Sequence, residues 1–359
     1  MRRGLIIVII VLIVAAVLAL SLLRMNPQQA ATPATVAQAT VAPPAAVAAS
    51  GAGNKFTNPV VNRDFADPDT LKVGDAYYAY ATNANGMNVQ VARSMDMVNW
   101  DMPREALPAL PHWASLQSGL TWAPEVWTSA DGKTYVMYFV TRDTASDKQC
   151  IGLATSDKPE GPFKARDDKP FICQVDEGGT IDAASFVDTD GSRYVLFKND
   201  GNCCNITTRI YIQKVSSDGL TLEGKPTALI ENDQAWEGHV VEAPTLWKHN
   251  NKYYLFYSAN NYAGADYAVG YAVADNILGP YTKPLSRPFV ATQSDPAKGP
   301  PVIGPGGQDI IVDENGRTWL MYHSWDPTIS FRWVSIDPLD WEGDKPVLRG
   351  PSRQPQPAP

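Results

Sequence analysis

Three carboxylates stand at the openings of otherwise apolar segments: Asp67 in DPDTL, Asp182 in DAASF and Glu242 in EAPTL. A single acid in such a place is most often a turn or strand-end charge. Three at one phase of a repeat are not independent. Acids brought together in a partly desolvated site raise one another's pKa, which costs stability unless the arrangement is used. The chemistry open to them is general acid and general base work on a glycosidic bond, with the third acid tuning the other two. One carboxyl group kept protonated near neutral pH donates to the leaving oxygen, and a carboxylate on the opposite face activates water or attacks directly. A gap of about 6.5–9.5 Å leaves room for water and inverts the anomeric centre, whereas about 5–5.5 Å gives retention.

The elements that must position these acids repeat. Past residue 55 the chain reads as strand after strand, with turn signals VGDA, ADGK, TDGS, HNNK and ENGR between aromatic or β-branched runs. Each turn is followed by an aromatic-rich strand: YYAYAT, YVMYFV, YVLFK, YYLFY and WLMYH. Aligned on those turns, five equivalent strands open at Asp67, Trp122, Asp182, Glu242 and Gly307, at intervals of 55, 60, 60 and 65 residues. Four short strands and their loops fill about sixty residues, so the expected fold is all-β, a five-bladed β-propeller over 56–350. In a propeller the first strand of every blade lines the central channel, which would bring Asp67, Asp182, Glu242 and Trp122 around one pocket.

The 359 residues are 44% hydrophobic and 10% aromatic, ample for a large core. Thirty Lys and Arg against 38 Asp and Glu give a net charge of -8, which disfavours a grip on nucleic-acid phosphates or anionic lipid. Gly4 to Leu23 carries no charged side chain and is long enough to span a bilayer core. Arg2 and Arg3 precede it, so residues 1–24 are expected to act as a signal anchor or a signal peptide. Either role exports the rest. Residues 25–55, rich in Ala, Pro and Thr, read as an extended linker, and 351–359 as a Pro-rich tail. Membrane contact is expected only through the N-terminal helix, and the folded part as a monomer. Cys150, Cys173, Cys203 and Cys204 suit structural disulfides in an exported chain. A bond between the neighbours Cys203 and Cys204 is strained, which leaves two pairings in which Cys150 and Cys173 each take one of them.

The pieces FADPDTLKVGDAYYAYAT, ARSMDMVNW, GLTWAPEVW, GTIDAASFVDTDGSRYVLF, VVEAPTLWKHNNKYYLFYS, GPGGQD and YHSWD, in that order, resemble glycoside hydrolase family 43, from about Asn58 to Leu348. The resemblance implies a five-bladed propeller and an inverting mechanism. Asp67 matches the general base, Glu242 the general acid, and Asp182 the aspartate that raises the acid's pKa and orients it. Trp122, Arg332 and Gln308 are the expected sugar-binding residues. His323 matches a histidine that in many members helps hold a calcium ion in the channel, often through water; no cofactor is implied for the chemistry. Many relatives carry a histidine where this chain has Gly307, a change expected to open the channel in blade five. The segment DGNCCNITTR (200–209) adds a loop at the rim. The implied substrate is a plant-type arabinofuranosyl or xylosyl glycan, with an arabinanase or α-L-arabinofuranosidase activity preferred over a β-xylosidase. A carbohydrate-binding propeller without catalysis is the rival reading, and loss of one acid would be its mark.

Overall fold

The computed structural model describes residues 54–359. The expected anchor or signal segment and nearly all of the expected linker lie outside the described residues. Among those described, no helix is long and apolar enough to cross a membrane, and helical structure is confined to short 3-10 turns.

The chain enters through β1 (Lys55–Phe56). Blade one is β2 (Asp69–Val73), β3 (Ala76–Ala81), β4 (Gln90–Ser94) and β5 (Arg104–Glu105). Blade two is β6 (Trp122–Thr128), β7 (Tyr135–Asp143), β8 (Lys148–Ser156) and β9 (Lys164–Ala165). Blade three is β10 (Thr180–Val187), β11 (Arg193–Asn199), β12 (Arg209–Val215) and β13 (Leu222–Glu231). Blade four is β14 (Val241–His249), β15 (Lys252–Ala259) and β16 (Ala268–Ala274). Blade five is β17 (Ile303–Val312), β18 (Thr318–Trp325), β19 (Arg332–Glu342) and β20 (Lys345–Leu348), and β21 (Gln356–Pro357) follows. Within each blade consecutive strands pair antiparallel, which makes the fold the expected five-bladed propeller. Blade four has three strands, and isolated bridges Val273 to Thr282 and Val269 to Val290 hold its outer side.

The aromatic runs form second strands because both of their faces are buried. Successive side chains of a strand point to opposite faces, and in β3 Tyr78 and Tyr80 pack with Val126, Met137 and Phe139 of blade two. Tyr77, Ala79 and Ala81 pack with Trp319, Met321 and Val334 of blade five. The same division recurs between blades two and three, three and four, and four and five. The core is therefore a closed ring of five interfaces rather than one central mass. The hairpin turn at Asn250 and Asn251 has positive φ at both residues, 48° and 61°, the geometry that matches the right-handed twist of flanking strands.

Both ends of the described residues help to close the ring. Asn58 donates to Ile336 O and accepts from Ile336 N, at 2.8 and 2.9 Å. The Pro-rich end is not a free tail: Gln356 and Pro357 pair with Phe56 and Lys55, and the Arg353 guanidinium lies 4.0 Å from the Trp333 ring centroid.

The cysteine pairing differs from both expected alternatives. Cys150 bonds Cys173, and Cys203 bonds Cys204. The reason is register: an antiparallel bridge from Ile151 to Ile172 sets Cys150 beside Cys173, Cα to Cα 4.8 Å. That leaves the neighbours in the turn Gly201–Cys203 and its cap to pair with each other.

Candidate active site

Each blade bends sharply where its first strand meets the channel. Asp67, Ala123, Asp182, Ala243 and Gly307 have φ of 52, 38, 55, 48 and 54°, a left-handed conformation that β-carbon-bearing residues adopt at a cost of about 1–2 kcal/mol each. In blades two to five the ladder slips at this point. The true fivefold position is therefore one residue later in blades two and four than the turn alignment places it. Trp122 and Glu242 precede the kink, and Ala123 and Ala243 occupy it. Asp67 and Asp182 are equivalent, whereas Glu242 reaches the channel from the adjacent position.

Four of the five kinks hold because their backbone N–H groups find side-chain acceptors on the preceding blade. Asp67 N donates to His323 Nδ1 at 3.0 Å, Ala123 N to Thr82 Oγ1 at 3.0 Å, Ala243 N to Asp182 Oδ2 at 2.9 Å and Gly307 N to Ser258 Oγ at 2.8 Å. Buried backbone donors left unpaired would cost about 1–3 kcal/mol each. The Asp182 carboxylate is thus part of the fastening of the ring as well as of its charge.

Asp67, Asp182 and the kink residues of the other blades line one narrow axial channel; Glu242 precedes the kink at Ala243. The surroundings of the three acids differ. Arg332 Nη1 lies 3.2 Å from Asp67 Oδ1, and Thr82 Oγ1 donates to Asp67 Oδ2 at 2.5 Å. Burial pushes the Asp67 carboxyl up, but the Arg332 charge and the bond from Thr82 hold it well below the ordinary range. Asp182 is raised to about 8, by burial and by the neighbouring Glu242 charge, against the pull of Lys198. Glu242 is 13% exposed and accepts from Lys198 Nζ at 3.0 Å and from Tyr267 OH at 2.8 Å. The result is one firmly ionised carboxylate facing Asp182, whose carboxyl stays protonated at neutral pH beside Glu242.

The remaining expected site residues separate. Arg332 is at the pocket, paired with Asp67, and its guanidinium also lies 5.0 Å from the ring centroid of Tyr262, which is 50% exposed. Trp122 is partly buried against the core between blades two and three, its indole N–H donating to Gly119 O. Gln308 is not a free sugar ligand: it is buried, its Nε2 donates to Ala243 O at 2.6 Å and its Oε1 accepts from Ser258 at 2.7 Å. Gly307 does not open the channel, because His323 fills the space. A Cβ there would lie 2.5 Å from His323 Cε1 and Nδ1 and 3.0 Å from Asp67 Oδ1.

His323 is fully buried, stacked on Tyr267 with ring centroids 5.8 Å apart. Burial and the Arg332 charge keep its pKa below normal, so the ring is neutral. Its Nδ1 accepts the Asp67 N–H, which puts the ring proton on Nε2, and Nε2 has no protein partner. Such an N–H fits a water molecule rather than a cation. Among the described residues no group of three His, Cys, Asp or Glu side chains is arranged to hold a metal ion.

Sequence reasoning missed several members of the site. Lys198 ends the apolar run YVLFK, Thr82 ends YYAYAT, and Tyr267 sits in a loop before β16. No local signal marks any of them. A second acidic tier was also missed: Val126 N donates to Asp69 at 2.8 Å, Ser185 N to Glu125 at 2.7 Å and Thr70 N to Asp309 at 3.0 Å. Each acid therefore caps the neighbouring blade. Burial raises Glu125 to about 7 and Asp309 to about 6. Their position two residues beyond the kink in three repeats is the signal that could have found them.

The profile of the family described as Glycosyl hydrolases family 43 matches residues 56–346. A beta-xylosidase of Bacillus subtilis is 29% identical over 280 residues, covering 75% of this chain and 49% of that protein. An extracellular endo-alpha-(1->5)-L-arabinanase of the same organism is 26% identical over 329 residues, covering 86% and 92%. The chain spans about half the length of the first curated relatives it matches. A thermostable family-43 glycoside hydrolase of known crystal structure superposes with a TM-score of 0.74 at 33% identity, over 85% of this chain and 99% of the other. With about four-fifths of its length matched by the family profile, residues 56–346, the chain belongs to glycosyl hydrolases family 43.

Proposed function

We propose that the propeller hydrolyses arabinofuranosyl linkages, or the closely related xylosyl ones, of plant-type polysaccharides or oligosaccharides, with inversion at the anomeric carbon. The observation that carries this reading is the division of charge: Asp67 held ionised by Arg332, against an Asp182 and Glu242 pair that keeps a proton. Opposed environments of this kind separate acid from base. Glu242 acts as the general acid. Its O–H bond breaks as the proton passes to the glycosidic oxygen, and the electron pair of the breaking C–O bond goes to that oxygen. Asp67 takes a proton from the water that attacks the anomeric carbon from the opposite face. Asp182 orients Glu242 through Ala243 N, and the closeness of the two carboxyl groups keeps one proton between them.

The exposed ring of Tyr262, backed by Arg332, and the indole of Trp122 are suited to the apolar faces of sugar rings. Arabinofuranosyl linkages come first on motif similarity and on the arabinanase among the relatives; the xylosyl reading is favoured by the relatives named xylosidases. A calcium ion in the channel would be held by His323 through water rather than directly, since a water oxygen that accepts from an imidazole N–H keeps a second lone pair for a cation. It has no part in the chemical steps. The reading includes export of the domain by residues 1–24 and action as a monomer.

The deciding experiment is NMR of the purified domain with aryl α-L-arabinofuranoside and with linear arabino-oligosaccharide, recording which anomer of arabinose appears first. β-Arabinose first is the expected result; α-arabinose first overturns inversion. No sugar from these or from xylo-oligosaccharides overturns the enzymatic reading. In the same assays Glu242→Gln should lose activity on the oligosaccharide by about 10²–10⁴-fold and far less on an aryl glycoside with a good leaving group. Equal losses on both would remove Glu242 as the acid.

A further inference from the structure

The acid Glu242 does not sit among neutral groups. In β11 the side chains of Tyr194 and Leu196 face blade four and pack in the core it shares with blade three. Strand alternation continues that row to Lys198. Its ammonium therefore enters the ring from blade three and meets Glu242 of blade four, Nζ to Oε2 3.0 Å, with the lysine side chain fully buried. A second bond runs from Nζ to Asn202 Oδ1, 2.6 Å, in the rim turn Gly201–Cys203 that the Cys203–Cys204 disulfide follows. Asn202 is exposed, so a residue on the outer surface holds a buried cation against the acid.

We propose that Lys198 is a positioning residue for Glu242: clamped by Asn202, it fixes the acid's carboxyl group and stabilises the negative charge that forms on it as the proton leaves for the glycosidic oxygen. This rests on the proposed role of Glu242 and adds a residue that motif reasoning does not reach. A buried ammonium is costly to desolvate, and a blade interface is held as well or better by an apolar side chain of similar volume. A cation in this place is explained by charge that appears there. Such charge appears when Glu242 gives up its proton, and preorganised opposite charge aimed at it acts without reorganisation at the moment of reaction.

The charged and titratable groups facing Glu242 from the packed elements set the balance. Asp182 of β10, Asp200 at the end of β11 and Asp67 ahead of β2 oppose ionisation of the acid. Lys198 favours it, and the Arg332 charge at the start of β19 is taken up by Asp67. Tyr267 donates its hydroxyl hydrogen to Glu242, and His323 is neutral. Lys198 also lowers Asp182, whose pKa stands near 8 despite that pull, and opposes the rise of Asp200 to about 6. Lys198 is thus the cation nearest the acid. Without it the acid pair keeps its proton to higher pH and releases it less readily.

The test is the pH dependence of kcat/KM for wild type, Lys198→Met and Asn202→Asp, on an arabino-oligosaccharide and on an activated aryl glycoside. For Lys198→Met the alkaline limb should move from near pH 8 upward by about 1–3 pH units, the effect of removing an opposite charge at this range. Activity should fall by about 10²-fold on the oligosaccharide and much less on the aryl glycoside. Asn202→Asp, at an exposed position that leaves the fold intact, puts a competing carboxylate on the same ammonium and should move the limb the same way by a smaller amount. Alkaline limbs that superimpose on wild type, or a shift in Asn202→Asp alone, overturn the proposal. If Lys198→Met does not fold by circular dichroism, Asn202→Asp decides. Glu242→Gln in the same series separates the two layers: loss of its leaving-group dependence sinks the role of Glu242, whereas unmoved limbs beside a normal Glu242→Gln sink only that of Lys198.

Discussion

Replacing Arg332 by methionine should create an acidic limb in the activity profile that the wild type lacks. The guanidinium nitrogen is 3.2 Å from Asp67 Oδ1, with side-chain exposures of 16% and 22%. At that distance two unit charges attract by about 5 kcal/mol at an effective dielectric of 20 and by about 1.3 kcal/mol in bulk water. A partly wet pair lies between, and an arginine beside an aspartate lowers its pKa by about 1–3 pH units. Asp67 carries the opposed push of burial, so without Arg332 it should return to the ordinary aspartate range or slightly above, about pH 4–5. The sign follows from the role of the base: Asp67 must be ionised to accept a proton from water, so lowering the pH through its pKa removes activity. Wild type should keep kcat/KM well below pH 5, and Arg332→Met should lose it progressively through that range. Arg332 faces Asp67 rather than Asp182, so the alkaline limb near 8 should move far less than the acidic one and serves as an internal control. There the pair loses its proton as the pH rises, and activity falls. The assay is kcat/KM for an aryl arabinofuranoside from pH 3 to 9. An Arg332→Met profile that superimposes on the wild type's at acidic pH refutes the reasoning, and a rise in KM of equal size at every pH assigns Arg332 to sugar contact instead.

Two further outcomes follow from the packing. Gly307→Ala should drive the His323 ring away, since the new Cβ would meet it at 2.5 Å; the resulting displacement of Asp67 should cost on the order of 10²-fold in kcat/KM. Gly74→Ala, also at positive φ but with nothing within 4 Å of its Cβ, is the control for backbone strain alone, and equal activity in the two variants would defeat the argument. Deleting residues 351–359 removes the β1 to β21 pairing, the Asn58 bond to Ser352 O and the Arg353 contact on Trp333. Thermal denaturation should then show Tm lower by on the order of 5 °C, and an unchanged Tm would mean that the ring closes without its last strand.

Much of this molecule was legible in its residues. The turn pairs and the aromatic runs behind them determine hairpins, because a strand buried on both faces must be apolar throughout and its turns must carry Gly, Asn or Asp. The spacing of those hairpins determines five blades, and the acids that open three of them mark the channel. Tertiary structure decided the rest. The kink moved the equivalent position to Ala123 and Ala243, since the bulge depends on which acceptor of the preceding blade each N–H meets. It paired Cys150 with Cys173 through the register of Ile151 and Ile172, and engaged Gln308 between two blades. Lys198, Tyr267 and Thr82 joined the site from strands and loops whose local sequence carries no sign of function. Local preference and period are properties of a segment, whereas a charge 3.0 Å away on another blade exists only once the ring has closed.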